Sequence, residues 1–136
     1  MKPVQKIALG IAGITSLGIG AFILAAPYAF YASYGITLGP DPSLLSELRA
    51  PGAGLAAFGA VMLAGIVRPA LRQAAVVVAL TVFLAFPAGR VVGLGIDGMP
   101  SVEILGALIL ELAIAGFCLF AFRRGADPAV TGLAAR

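Results

Sequence analysis

The residues of this sequence that could do chemistry are a few charges inside an apolar chain. Of the 136 residues, 61% are hydrophobic and only 11% are charged. Glu111 stands within a long apolar run, and Arg49 and Arg90 are the arginines that could neutralise it. A carboxyl group whose pKa is tuned by burial and by a neighbouring arginine suits proton transfer or isomerisation. If the chain catalyses a reaction, Glu111 and Arg49 are therefore the candidate catalytic residues.

The composition indicates an integral membrane protein. The mean hydropathy is +1.08, which lies outside the balance of soluble domains. A transmembrane helix needs about 20 mostly apolar residues, and the sequence has four such runs, at residues 7–26, 44–67, 71–88 and 102–122. They predict an all-α, integral membrane four-helix bundle over residues 1–124, followed by a disordered cytoplasmic tail over residues 125–136.

Basic residues predict the orientation of the bundle. Cytoplasmic loops collect lysine and arginine, and alternating helices bring six of them to one side: Lys2, Lys6, Arg68, Arg72, Arg123 and Arg124. The prediction is N-in and C-in, with residues 27–43 and 89–101 on the outer side. A cleavable signal is the alternative for the first run, which we expect to be retained because it is longer than the apolar region of a signal. The same bias accounts for the net charge of +3, so we expect no nucleic-acid partner.

The outer segment "GRVVGLGIDGMPS" (residues 89–101) places Arg90 and Asp97 among glycines. If the segment folds back as a loop, the two side chains can form a salt bridge near the membrane interface. Gly98 would then take positive φ in an Asp-Gly turn. Two interpretations stay open, which are a structural clamp that closes the outer end and a polar binding site for a headgroup or an anion.

Depth separates Glu111 from the other acidic residues. At about 1.5 Å per residue, it lies roughly 15 Å below the start of its helix, where an unpaired carboxylate is costly. We expect it to face the bundle interior and to pair with Arg49, which begins deeper than Arg90, the second candidate. Glu47 and Glu103 lie in the first turns of their helices, where a carboxylate favours the positive end of the helix dipole.

Two patterns concern the packing of the helices. Residues 23–36 align on residues 83–96 at a constant offset, which suggests a tandem duplication of a helical hairpin, with chance similarity between Gly- and Ala-rich segments as the alternative. Small residues recur at every fourth position of the first two helices, namely Ala8, Ala12, Ser16 and Gly20, then Gly52, Ala56, Ala60 and Ala64. Such faces let helix backbones approach closely. We expect these two helices to pack tightly, on one another or on a partner.

Prolines and tyrosines predict where the helices meet the membrane surface. Pro42 and Pro100 can open the second and fourth helices, whereas Pro51 predicts a kink or a later start of the second. The three tyrosines follow the first helix and fit an interfacial aromatic belt; they are Tyr28, Tyr31 and Tyr34.

The sequence predicts no metal and no cofactor. It has no histidine and a single cysteine, Cys118, so this chain alone offers no disulfide and no histidine-ligated haem, copper or zinc. We expect Cys118 to be a small residue of the core or of the lipid-facing surface. Zinc-ligand spacings, a nucleophile elbow, a phosphate-binding loop and a dinucleotide fingerprint are all missing from the sequence.

The segments "LSELRAPGAGLAAFG" (residues 45–59) and "GRVVGLGIDGMPS", with the later "LE" at residues 110–111, resemble a family of small bacterial four-helix membrane proteins, the domain of unknown function 4345 family. The resemblance extends from the first helix to about Phe122. It implies a multi-pass protein of the bacterial inner membrane and assigns no activity. The shared pattern falls on Glu47, Arg49, Gly52, Gly89, Arg90, Gly93, Asp97, Gly98, Pro100 and Glu111. Pro51 departs from it.

These residues divide into two predicted groups. The ligand-binding residues are Arg49, Arg90, Asp97 and Glu111. The structural residues are Glu47, Gly52, Gly93, Gly98 and Pro100.

Three functions are open to such a chain. The first, which the small-residue faces favour, is an accessory or structural subunit that packs on other membrane proteins or on a second copy. The second is a binder or enzyme for a lipophilic small molecule, built on a buried Glu/Arg pair. The third is a transporter or channel component, for which four helices leave little room. Membrane lipids are expected partners in all three.

Overall fold

The computed structural model describes residues 1–123, and these residues form helices and connecting turns without a strand. The helices are α1 (Pro3–Ala25), α2 (Pro27–Ala32), α3 (Pro42–Val67), α4 (Arg72–Asp97) and α5 (Val102–Phe122), with a single 3-10 turn at Pro69–Leu71. By length and composition, α1, α3, α4 and α5 can each cross a membrane. The predicted all-α four-helix membrane fold is confirmed. Arg124 and the predicted disordered tail over residues 125–136 lie outside the described residues.

The alternating direction of the four long helices gives the bundle two different ends. We call one the basic end, because it carries Lys2, Lys6, Arg68, Arg72 and Arg123. We call the other the tyrosine end, because α2 and its three tyrosines lie there together with residues 98–101. The separation of charge is the one that the sequence predicts. Placement of the basic end in the cytoplasm stays a prediction.

α4, which corresponds to the third predicted span, is longer than the sequence predicts. It continues beyond Ala88 to Asp97 and ends at Gly98, which takes the predicted positive φ of 94°. Its glycines do not break it, because in a membrane a helix must satisfy its own backbone hydrogen bonds and tolerates glycine for that reason. Arg90 and Asp97 therefore lie seven residues apart on one helix, about 10 Å along its axis. The predicted loop that folds back to pair these two side chains is wrong.

Three prolines have different effects on the helices that contain or adjoin them. Pro27 separates α1 from α2, whereas Pro51 and Pro87 lie inside α3 and α4. α3 begins at Pro42, with Asp41 accepting a hydrogen bond from the Ser43 amide at 3.0 Å, so the predicted late start is wrong. Because Pro27 breaks its helix and Pro87 does not, the two outer segments are not equivalent structures. The duplication itself stays a prediction.

The closest packing in the bundle joins α1 and α3, as the small-residue faces predict. Every member of the α1 face is buried, and Ser16 donates from Oγ to the Leu55 carbonyl at 2.7 Å. A Cβ at Gly20 or at Gly59 would collide with the backbone of the opposite helix. On α3 the buried face runs through Gly52 and Gly59 rather than through Ala60, which is exposed. Backbone-to-backbone contact therefore fixes this pair of helices.

α1 and α5 make contact near the basic end. The Gln5 amide donates from Nε2 to the Ala121 carbonyl at 3.1 Å. Cys118 is buried beside Ala8, with 4.0 Å between its Sγ and the Ala8 carbonyl oxygen, so of its two predicted positions it takes the core. These contacts close the basic end, and the space inside the bundle lies at the other end.

The α1–α3 contact yields a stability prediction. Gly20→Ala should lower the free energy of unfolding by about 1–3 kcal/mol, because the new Cβ has no room between the backbones. Unfolding in detergent, followed by helical circular dichroism, measures the change. Gly18→Ala is the matched control on the same helix, since its Cβ would meet nothing within 4 Å, and it should stabilise by about 0.5–1 kcal/mol. Equal effects of the two substitutions would contradict this account of the packing.

Candidate functional site

The tyrosine end of the bundle contains a cavity of about 730 Å³. It lies among α1, α4 and α5, with α2 and the tyrosines forming part of its wall. Most of the wall is apolar, from residues that include Ile19, Ile23, Phe30, Val82, Phe83, Phe86, Ile104 and Leu110. Small residues leave part of the space unfilled, because Gly89 on α4 and both Gly106 and Ala107 on α5 line the cavity without long side chains.

Glu111 lines the cavity and pairs with Arg90. The two side chains meet through two parallel hydrogen bonds, from Nε to Oε2 at 2.9 Å and from Nη2 to Oε1 at 3.0 Å. Glu111 is only 8% exposed, and the Arg90 side chain is 28% exposed. This bidentate geometry is the strong form of an arginine–carboxylate pair. The expectation that Glu111 faces the interior is correct, and the expectation that Arg49 is its partner is wrong.

The length of α4 explains why Arg90 is the partner. Arg90 lies seven residues before the end of α4 at Asp97, and Glu111 lies nine residues after the start of α5 at Val102. At about 1.5 Å per residue these positions are roughly 10 Å and 13 Å from the same end of two neighbouring helices. The predicted end of the helix at Ala88 placed Arg90 outside the span, and this error made Arg49 look the deeper residue.

Arg49 has a different structural task. Its Nη1 donates to the carbonyl oxygen of Leu24, in the last turn of α1. Carbonyl groups in the last turn of a helix lack intrahelical donors, and a cation there also favours the negative end of the helix dipole. α3 packs on α1 and α4 and makes no close contact with α5 within residues 1–123. Arg49 therefore caps α1 and lies away from Glu111.

The other predicted site residues lie apart from the pair. Asp97 is exposed at the end of α4, so the structure brings together only Arg90 and Glu111 from the predicted ligand-binding set. Glu103 lies in the first turn of α5, as predicted, and lines the cavity. Glu47 is exposed and falls in the second turn of α3, because that helix begins earlier than predicted. Gly93 and Pro100 are half-buried.

Two of the tyrosines belong to the cavity, which the sequence did not indicate. Tyr31 and Tyr34 line it and are half-buried, whereas Tyr28 is 46% exposed and keeps its predicted place at the surface. Phe30 stacks edge-on against both of them, with ring centroids 5.1 Å from each. The Ser101 hydroxyl donates to the Tyr34 carbonyl at 2.9 Å and ties the segment to α5. Tyr34 follows Phe30 by four residues and Tyr31 by three, and this helical spacing is the signal that could have revealed the cluster.

The phenol of Tyr31 is a hydrogen-bond donor at neutral pH. Burial raises the pKa of Tyr31 above its ordinary value of 10.0, and the positive charge of Arg90 opposes this shift. The hydroxyl therefore keeps its proton at neutral pH. It adds a neutral donor to the wall in which Arg90 lies.

The arrangement can hold a small molecule, and it offers no metal centre in the part of the chain that is described. No group of three or more His, Cys, Asp or Glu side chains comes together within residues 1–123. Both oxygens of Glu111 already accept hydrogen bonds from Arg90. What the site presents is an apolar space with an ion pair and two tyrosines at its wall.

Comparison with known proteins identifies a family and no characterised relative. The family model described as domain of unknown function (DUF4345) matches residues 4–122. No curated protein matches the chain, and no solved structure matches it. The matched residues include all four long helices apart from the first residue of α1.

The bidentate pair predicts strong coupling between its two residues. Arg90→Met alone should lower the free energy of unfolding by about 1–3 kcal/mol, because the Glu111 carboxylate loses the donors that compensate its burial. The double variant Arg90→Met with Glu111→Leu should recover most of this loss, with a coupling energy of about 0.5–3 kcal/mol. Both quantities come from a double-mutant cycle. Wild type, the two single variants and the double variant are unfolded chemically in detergent.

Arg49 supplies the control for this double-mutant cycle. Arg49→Met and Glu111→Leu should have additive effects, since the two residues lie on helices without close contact and share no hydrogen bond. Coupling of Glu111 to Arg49 that equals its coupling to Arg90 would contradict the pairing.

Proposed function

This chain belongs to the DUF4345 family, and we propose that it is a multi-pass membrane protein that binds a lipophilic small molecule in its cavity. The proposal rests on one observation, which is that a single cavity combines an apolar wall with the paired side chains of Arg90 and Glu111. Small-molecule sites are typically cavities of about 300–1,000 Å³, lined by apolar groups with a few polar ones that fix orientation. The cavity matches that description in size and in composition.

The wall of the cavity favours an elongated or ringed apolar molecule over a soluble metabolite. Phe30 on α2 and both Phe83 and Phe86 on α4 supply aromatic surface. A lipophilic molecule that comes from lipid gains no hydrophobic free energy on entering an apolar cavity, so close van der Waals packing against these rings would provide the affinity of its apolar body. The ion pair at the wall would fix which end of the molecule lies there.

Binding is a better proposal than catalysis. A general base must offer a lone pair in the direction of the proton that it removes. Both carboxylate oxygens of Glu111 are engaged by Arg90, and Arg49, the other predicted catalytic candidate, caps α1. An isomerase or proton-transfer role would have to use the remaining lone pairs of a carboxylate that is 8% exposed and already paired.

The accessory-subunit role is the weaker proposal. The small-residue faces of α1 and α3 predict it, but the α1 face is fully buried within the chain, and Ala60 is the only exposed residue of the α3 face. They consequently leave little small-residue surface for another protein or a second copy. A transporter role is also weaker, because the cavity ends at the level of Val82 and Glu111 and contacts between α1 and α5 close the basic end.

For location, we propose the bacterial inner membrane with the basic end in the cytoplasm. The four long helices are long and apolar enough to cross a membrane. The basic residues cluster at one end of the bundle, and lysine and arginine near helix ends set orientation in membranes. Protease protection of an epitope tag at either terminus tests the orientation.

A cavity-filling substitution tests the binding proposal. The protein is isolated in polymer nanodiscs, and the small molecules extracted from it are identified by mass spectrometry. Wild type should yield a lipophilic species enriched over the surrounding membrane. Ala107→Phe should lower its amount by about tenfold or more, because the ring occupies the space beside Glu111 that the ligand would fill.

The matched control is Ala113→Phe, on the same helix at an exposed position outside the cavity. It should retain the extracted species at the level of the wild type. Equal thermal stability of the two variants would show that the loss reflects the filled cavity. Absence of any enriched species from wild type, or equal amounts in all three proteins, would contradict the proposal.

A further inference from the structure

We infer that the ligand of the cavity is a neutral amphiphile whose polar end is a carbonyl oxygen held by Arg90, and that it reaches the cavity sideways from the bilayer. This inference rests on the proposed binding function and adds to it the chemical class of the ligand and its route. Charge, free donors and the exposed rim of the cavity support it in turn.

The charges of the cavity disfavour an anionic ligand. Its charged lining residues are Arg90, Glu111 and Glu103. The first two neutralise each other in the bidentate pair, so the balance left at the wall is the single negative charge of Glu103. A carboxylate or phosphate would find no uncompensated positive charge there, because Glu111 already neutralises Arg90. Separating the ion pair to bind it would leave Glu111 buried without a partner, which is costly.

The accessible polar atoms at the pair belong mainly to the donor, because the Arg90 side chain is 28% exposed and the Glu111 side chain 11%. A guanidinium carries five N–H groups, and Arg90 uses one at Nε and one at Nη2 for Glu111. Its Nη1 makes no hydrogen bond to any other residue in the described part of the chain, and the side chain is 28% exposed. A carbonyl oxygen can therefore accept from Arg90 without displacing Glu111. The protonated hydroxyl of Tyr31, in the same wall, is a second donor.

A cationic ligand is disfavoured by the same geometry. An ammonium group carries only donors, and it would meet the free donors and the positive charge of Arg90. Glu103 could attract such a group at the rim, but Glu103 is exposed, where water screens the attraction. A neutral acceptor satisfies the donors at no electrostatic cost.

The rim of the cavity faces the apolar surface of the bundle. Leu110 is 51% exposed and Phe86 is 39% exposed, and both line the cavity. Gly89 and Gly106 also line it and are exposed, and a Cβ at either position would meet nothing within 4 Å. These residues lie within the membrane-spanning helices α4 and α5. A molecule dissolved in the bilayer can therefore reach the cavity past two glycines without crossing the polar ends.

Photochemical labelling tests the ligand class with defined probes. We would irradiate the full chain in nanodiscs with 4-octylbenzophenone, whose ketone is both the proposed acceptor and the photoreactive group. Matched probes carry a carboxylate or an ammonium group on the second ring. The neutral probe should label residues next to Arg90 and Glu111 saturably, as mapped by peptide mass spectrometry. The charged probes should label these residues about tenfold less at equal membrane concentration.

Two sets of variants test the donor and the route. The double variant Arg90→Met with Glu111→Leu keeps the cavity apolar and removes the donor, so half-maximal labelling should need roughly tenfold more neutral probe. Gly106→Phe should slow labelling, whereas Gly116→Phe, on the same helix and also in open space, should not. Gly89→Phe with Gly95→Phe as its control repeats the comparison on α4, in case one variant fails to fold.

The outcomes separate this inference from the binding function. If the carboxylate or ammonium probe labels saturably in preference to the neutral probe, the proposed ligand class is wrong, and the cavity is still a binding site. Equal rates in Gly106→Phe and Gly116→Phe, with the same result on α4, would overturn the sideways route. Labelling that is non-saturable for every probe and unchanged by Ala107→Phe would overturn the proposed function itself.

Discussion

The structure depends on the cost of placing a carboxylate in an apolar interior. Glu111 lies about two and a half turns into α5 and is almost fully buried, so its charge must be matched within hydrogen-bond distance. Only an arginine on a neighbouring helix at the same depth can present two donors in parallel. This requirement is met because α4 runs on past Ala88 and holds Arg90 inside the bundle. The ion pair can therefore form only because the glycine-rich segment after Ala88 stays helical.

Unequal packing on the two sides of α1 explains why the bundle contains a cavity. Toward α3, Gly20 and Gly59 let the backbones touch, and Ser16 adds a buried hydrogen bond across the contact. Such contact fixes the position of α1, so α1 cannot shift to fill space on its other side. Contacts of Gln5 and Cys118 hold α5 to α1 at the basic end. The space that remains lies at the opposite end, where small residues on α4 and α5 fail to fill it.

The sequence predicted the fold more closely than the site, for a physical reason. Length and hydropathy determine which segments can cross a membrane, so the bounds of α5 were predicted to the residue and those of α3 nearly so. The site depends on where α4 ends, and local residue preferences gave the wrong answer there. Glycine and proline end helices in water because water can satisfy the freed backbone groups, whereas an apolar surrounding cannot. The pairing of Arg49 with Glu111 failed because that prediction had no information on which helices are neighbours.

Arg49 and Arg90 have different roles, since the first caps a helix and the second lies at the cavity. Arg49 donates to a backbone carbonyl at the end of α1 and lines a separate, shallow surface pocket between α1 and α3, apart from the cavity. Arg90 donates to a carboxylate that engages only part of its donors, and the same residue lines the apolar cavity. A neutral ion pair is a stronger donor than an amide or a hydroxyl, and it attracts no counter-ion from solution. The Arg90–Glu111 pair therefore suits recognition of an uncharged polar atom on a lipophilic molecule.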